Sequence, residues 1–209
     1  MITLFIIAIG NPEYKKYSLE ILKDFFKKYE NVEIFILEDE GSFNIKKAHP
    51  SWLKLISHKY TNNNNLTLCW DLDLLPRNKN IEFDFSLLDD SHISMCYDTS
   101  VILKFPKFNS NFYLNGGLIS IPVNKRGCME SIYFDKAPGT YPSYEQYYLN
   151  DYFAENNEIV SILPPKYNTL YHNGFLFDQS DFLHYTWQCD DSLQRNFLIK
   201  QHHERYFST

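Results

Sequence analysis

The chain has 209 residues, enough for one domain with a proper core, and a formal net charge of −6 with no Lys/Arg run longer than two. A nucleic-acid backbone partner needs a basic stripe, so this charge balance argues against one. The four cysteines, Cys69, Cys96, Cys128 and Cys189, are scattered with no Cys-x-x-Cys. That pattern reads as reduced thiols in a cytoplasmic protein rather than a zinc site or a disulfide frame.

The elements alternate along the chain. Thr3 to Ile9 is an apolar run that reads as a buried strand. It is about one strand long and lacks a basic leader, so neither a signal peptide nor a membrane span is expected. Gly10-Asn11-Pro12 breaks it, and Glu13 to Tyr29 carries Tyr17, Ile21, Leu22, Phe25 and Phe26 at helical spacing. Val32 to Leu37 is a second strand. Ser51 to Tyr60 reads as a helix with Trp52, Leu55 and Ile56 on one face. Thr61 to Asn65 is a polar loop into a third strand, Leu66 to Trp70. Strand–helix repetition over residues 1–75 predicts an α/β fold with a Rossmann-like, mostly parallel sheet flanked by helices. The remainder is more mixed. Strands are expected at 92–97, 112–114, 117–121 and 159–163, and helices at 124–134, 144–156 and 190–205. Aromatics make up 17% of the chain, which suits an aromatic core or stacking surfaces.

The chemistry concentrates at Trp70-Asp71-Leu72-Asp73. Carboxylates at i and i+2 share a side while the chain stays extended, so Asp71 and Asp73 can reach one hard cation at a strand end. Mg²⁺ or Mn²⁺ is usually held by one or two carboxylates plus substrate phosphates. Ligands of open α/β sheets bind at that end of the strands. Leu74-Leu75-Pro76 then takes the chain out of its ladder. Further along, Asn115-Gly116-Gly117 sits inside an apolar run, where glycines mark either a bulge or a close approach. Glu145 and Gln146 open a helix, which fits either chemistry or complementarity to the helix dipole. His184 follows two apolar residues.

The order of these motifs resembles the nucleotide-sugar glycosyltransferases of the GT-A fold, in particular glycosyltransferase family eight, the glycogenin and lipopolysaccharide galactosyltransferase group. The matching pieces are Ala8 to Tyr14, Trp70 to Asp73, Leu114 to Leu118, Glu145 to Asn150, Leu163 to Asn168 and His184-Tyr185. The length also resembles a compact capsid glycosyltransferase domain of large algal viruses. The resemblance implies a single GT-A domain over 1–209, with a nucleotide-binding half at about 1–75 and an acceptor and sugar half at about 76–209.

What the resemblance implies for the residues is specific. Asp71, Asp73 and His184 would hold Mn²⁺ or Mg²⁺. Tyr14 would stack on uracil, with Ala8, Gly10, Asn11, Asp71 and Leu72 around base and ribose, and Lys54 near the donor. Asn115 would face the donor sugar or acceptor, with Glu145 and Gln146 beside the reacting centre. The implied activity is transfer of glucose, galactose or rhamnose from a UDP-sugar to a glycan or glycoprotein acceptor, with retention. The implied location is the cytoplasm, the host's if the chain is viral. Inversion would need a carboxylate base, for which Glu145, Asp151 and Asp98 are available. The chain departs from the family's pattern in three places. It has Glu145 for an aspartate, Gly116 for an alanine, and no lysine after His184-Tyr185. Competing classes are a non-catalytic nucleotide-sugar-binding module, a sugar nucleotidyltransferase and a metal-dependent nuclease.

Overall fold

The structure is a computed structural model that describes residues 1–10, 12–98, 113–137, 145–171, 179–186 and 192–208. Asn11 and Cys189, the expected strand start at residue 112 and the expected helix starts at 144 and 190–191 lie outside these. In chain order the elements are β1 (Ile2–Ile7), α1 (Lys15–Phe26), β2 (Val32–Leu37), a 3-10 helix (Pro50–Ile56) running into α2 (Ser57–Thr61), β3 (Leu66–Trp70) and β4 (Leu74–Pro76). Then come β5 (Ile93–Tyr97), β6 (Leu114–Ile121), α3 (Arg126–Lys136), α4 (Glu145–Glu155), β7 (Val160–Leu163), β8 (Thr169–Leu170), β9 (Phe182–His184) and α5 (Ser192–Ser208).

Six strands form the central sheet in the order β2-β1-β3-β6-β5-β7. β1 pairs in parallel with β2 and β3, and β5 with β7; β6 runs antiparallel to both β3 and β5. The expected mostly parallel sheet is therefore present, with one reversed strand. Period-two alternation divides its side chains between two faces. Leu4, Ile6, Leu68 and Trp70 pack with α1, Phe83, Phe182 and α5, while Phe5 and Cys69 pack with the 3-10 helix, α3 and α4. Trp70 sits at the centre of an aromatic cluster, edge-on to Phe26, Phe83 and Phe182 at 5.1–5.6 Å. That geometry favours ring quadrupoles and accounts for much of the aromatic content as core.

Three expectations change in detail. The segment expected as a helix from Ser51 is a 3-10 helix as far as Ile56. Pro50 starts it, and Trp52, Leu53, Lys54, Leu55 and Ile56 are all buried, so it is enclosed on every side rather than on one face. The strands expected at 112–114 and 117–121 are one strand with a register shift. Leu74–Pro76 leaves the central ladder and becomes the edge of a second, mixed sheet, β4-β9-β8. Among the described residues, no helix is long and apolar enough to cross a membrane.

α5 is fastened to this second sheet by His202. Its Nε2–H donates to the Pro76 carbonyl at 2.8 Å, and its Nδ1 accepts from the Tyr185 hydroxyl at 2.8 Å. Burial, opposed by the Pro76 hydrogen bond, lowers its pKa from 6.5 to about 4. The folded protein thus resists protonating a group that the unfolded chain protonates readily. Stability is full above about pH 6.5 and is lost as pH falls towards 4. Urea denaturation should give a stability about 2 kcal/mol lower at pH 5 than at pH 7 from this group. His202→Gln should flatten that difference; an unchanged pH slope in the variant would contradict the assignment.

Candidate active site

The site forms where β1 and β3 end side by side. Their register reaches Ile6 opposite Trp70, so the next residues along bring Ala8 up to the Asp71–Asp73 segment. β3 itself stops at Trp70. Asp71, Leu72 and Asp73 lie in a turn closed by Leu74 N–H donating to Asp71 O at 3.0 Å. The two carboxylates are gathered by this turn rather than by strand alternation, which corrects the sequence argument but not its outcome. Trp70 Nε1–H, bonded to Leu74 O at 2.7 Å, holds the far side of the turn.

His184, at the end of β9, faces both carboxylates. Its Nε2 is 3.3 Å from Asp73 Oδ1 and 3.6 Å from Asp71 Oδ2. One ligand atom from each of the three residues falls within 4.8 Å of the others. The proton on His184 is placed by its neighbours. Asp98, as a carboxylate, only accepts, so the amide nitrogen of Asn115 must face it, at 3.0 Å. Asn115 Oδ1 then accepts from Asn168 Nδ2 at 2.9 Å, which turns Asn168 Oδ1 towards His184 Nδ1, also at 2.9 Å. The chain of amides puts a proton on Nδ1 and turns Nε2 towards the two carboxylates. In the neutral tautomer this leaves the Nε2 lone pair beside two carboxylates, a group that could hold a divalent cation. Two carboxylates and an imidazole make a mixed donor set for a divalent cation.

Lys54 occupies the other side. Its ammonium donates to Asp71 Oδ1 at 2.5 Å, Glu145 Oε1 at 2.9 Å and the Gly116 carbonyl at 2.7 Å. Burial opposes its charge, but the two carboxylates outweigh burial and raise its pKa. Glu145, only 2% exposed, answers in kind. Burial raises its pKa, the Lys54 charge and hydrogen bonds from Ser51 and Lys54 lower it further, and the net value lies below the ordinary range. Glu145 is therefore not a free first-turn carboxylate serving the helix dipole; it is half of a buried ion pair.

The glycines are explained by both of the readings offered above. Between Met95, opposite Ile119, and Cys96, opposite Asn115, β6 skips residues 116–118 in its pairing with β5. The Gly116 N–H liberated there donates to Gln146 Oε1 at 2.7 Å, and Gly117 N–H to Asn115 Oδ1 at 2.8 Å. Gly117 O accepts from Asp71 N–H at 2.9 Å. The bulge is also a close approach. A Cβ on Gly117 would lie 2.4 Å from His184 Cε1, and one on Gly116 would lie 2.9 Å from Glu145 Oε1. Gln146 and Asn150 complete the docking of α4, with Gln146 Nε2 on Asp98 Oδ2 at 3.2 Å and Asn150 bonded through both amide atoms to Leu114.

Of the residues singled out from sequence, Lys54, Asp71, Asp73, Asn115, Glu145, Gln146 and His184 fall in one continuous network. Tyr14, at the N-terminus of α1, joins it through Arg195, whose guanidinium carbon is 5.7 Å from the ring centroid. Burial and then the Asp73 charge push the Tyr14 hydroxyl up to about 12. Ala8 and Leu72 are buried, and Gly10 has a left-handed φ of +84°. Asn11 lies outside the described residues. Sequence reasoning missed Arg195 altogether, because a lone basic residue on a C-terminal helix carries no local signal. It named Asn168 only as the end of a matching segment and Asp98 only as a candidate base.

No protein-family model matches the chain, and no curated protein matches its sequence. Solved structures do. A glycosyltransferase involved in the glycosylation of the major capsid of PBCV-1 superposes with a TM-score of 0.70 at 16% identity, covering 96% of this chain and 98% of that one. The galactosyltransferase LgtC, in complex with donor and acceptor sugar analogs, superposes with a TM-score of 0.59 at 14% identity, covering 99% and 96%. The bifunctional glycosyltransferase WbbM gives 0.58 at 13% identity, covering 96% of this chain and 51% of that one. The chain has the GT-A fold. This is the architecture expected from the resemblance above.

Two of the departures from the family's pattern are physically one. Glu145 is a methylene longer than aspartate, and its Oε1 lies where the Cβ of an alanine at 116 would press. Gly116→Ala alone should overpack the site and lower stability by about 1–3 kcal/mol. Adding Glu145→Asp should recover much of that loss, so the two changes should be non-additive in a double-mutant cycle read by urea denaturation. Strict additivity would contradict the pairing.

Proposed function

We propose that the protein is a metal-dependent glycosyltransferase that moves a sugar from a UDP-sugar to a glycan or protein-linked acceptor with retention of configuration. The observation that carries this reading is the convergence of Asp71, Asp73 and His184 at the carboxyl end of β3 in a GT-A fold. These three residues would hold Mn²⁺ or Mg²⁺, and the bound ion would supply counter-charge for the leaving diphosphate. Tyr14 stacks on the uracil, and Ala8, Gly10, Asn11 and Leu72 surround base and ribose. Asn115 faces the donor sugar or acceptor, and Gln146 lies beside the reacting centre. Glu145 keeps Lys54 charged, and Lys54 in turn orients Asp71.

Retention is supported by what the nearby carboxylates are doing. A base for inversion needs a free carboxylate near neutral pKa. Glu145 is ion-paired and held below the ordinary range, and Asp98 accepts from two amides. Both are committed to holding the site together. Glucose, galactose and rhamnose donors are the class to test, with glycan and glycoprotein acceptors.

Purified protein incubated with Mn²⁺ and a panel of UDP-sugars should release UDP, slowly with water as acceptor. EDTA should abolish release, and Asp71→Ala or Asp73→Ala should lower it by at least about 100-fold, the scale set by the removal of major charge-stabilising groups. Undiminished turnover in excess EDTA would contradict the proposal.

A further inference from the structure

We propose that Arg195 is the side chain that grips the diphosphate of the bound nucleotide, opposite the metal ligands. This rests on the reading of the site as a nucleotide-sugar site. Arg195 projects from α5 to the border between the two ends that such a ligand would touch. Its Nη1 is 3.4 Å from Asp73 Oδ2, and its guanidinium carbon is 5.7 Å from the Tyr14 ring centroid. A nucleotide with its base on Tyr14 and its phosphates at the metal must cross this border.

The guanidinium is only partly matched where it stands, by a hydrogen bond with the Tyr14 hydroxyl and the contact with Asp73. Its Nε is buried and has no hydrogen-bond partner. Its contact with Asp73 is long for a charge-assisted bond, which normally closes to about 2.7–2.9 Å. A buried donor on a permanently charged group is expensive to leave unmatched. A diphosphate oxygen would satisfy Nε, and the planar fork suits phosphate.

Among the described residues, the other nearby cations, Lys54 and Lys15, are already committed. An ammonium has three donors, and Lys54 spends them on Asp71, Glu145 and the Gly116 carbonyl. Lys15 is engaged by Glu38 at 3.1 Å and by the Gly10 carbonyl at 3.4 Å. A divalent ion at Asp73 would compete with Arg195 for that carboxylate and release the guanidinium towards the ligand.

The test is nucleotide binding, measured by NMR titration or calorimetry with UDP and with uridine at saturating Mn²⁺. Arg195→Ala should weaken UDP binding by roughly ten-fold or more and leave uridine binding unchanged. Arg195→Gln, which keeps hydrogen-bond donors without the charge, should show the same selective loss. Tyr14→Ala should weaken both ligands. Equal UDP-to-uridine preference in wild type and Arg195 variants would overturn the assignment, as would parallel loss of both ligands with a lowered melting temperature. Wild-type protein that fails to bind UDP in Mn²⁺ would overturn the site reading, and this assignment with it.

Discussion

A carboxylate can only accept hydrogen bonds, and in this protein that one restriction, at Asp98, orients the whole site. Asp98 fixes which way the amides of Asn115 and Gln146 face. Asn115 then fixes Asn168, and Asn168 fixes the tautomer of His184. Gln146 and Asn115 turn their remaining oxygens to the glycine N–H groups freed by the bulge in β6. No member of this chain can reverse without leaving a buried polar group unmatched, which costs about 1–3 kcal/mol for each. A positioned His184 lone pair is thus a consequence of an acid at the other end of the relay. The relay also crosses the fold, because Asp98 follows β5, Asn115 lies in β6, Asn168 precedes β8 and His184 ends β9.

A second constraint works on charge. Burying Lys54 and Glu145 is tolerable only because each matches the other and Asp71 completes the set. Removing one partner of such a buried group typically costs about 3–5 kcal/mol. The enclosed 3-10 helix that delivers Lys54 and the bulge that presents the Gly116 carbonyl are therefore parts of one arrangement. The glycines make room for it. With side chains at 116 and 117, neither Glu145 nor His184 could sit where it does.

How much of this could be read from the sequence follows from how local each signal is. β1 and β3 were legible because they are near-continuous apolar runs, as strands buried on both faces should be, and β2, at the sheet edge, because only Glu33 interrupts its apolar run. α1 was legible from its period, with Ile21, Leu22, Phe25 and Phe26 buried. The segment at Lys54 was misjudged as a one-sided helix because its burial comes from α3 and α4, far along the chain. Asp71 and Asp73 were found for a reason that proved incomplete, since spacing alone does not distinguish an extended pair from a turn. Asp98 and Arg195 carry no periodicity and no motif that requires them, and Asn168 only ends a matching segment that gives it no role. Their roles exist only once β5, β8 and α5 are packed around the same point.

The tautomer of His184 is where these strands of argument meet, and it can be observed directly. Long-range ¹H–¹⁵N correlation spectra, with His184 identified through the His184→Gln variant, report which ring nitrogen carries the proton. With Mg²⁺ and UDP present, the proton should be on Nδ1, and replacing Mg²⁺ by Mn²⁺ should broaden the His184 signals ahead of those of the other histidines. A proton on Nε2, or His184 signals untouched by Mn²⁺, would contradict the metal site and the relay that builds it.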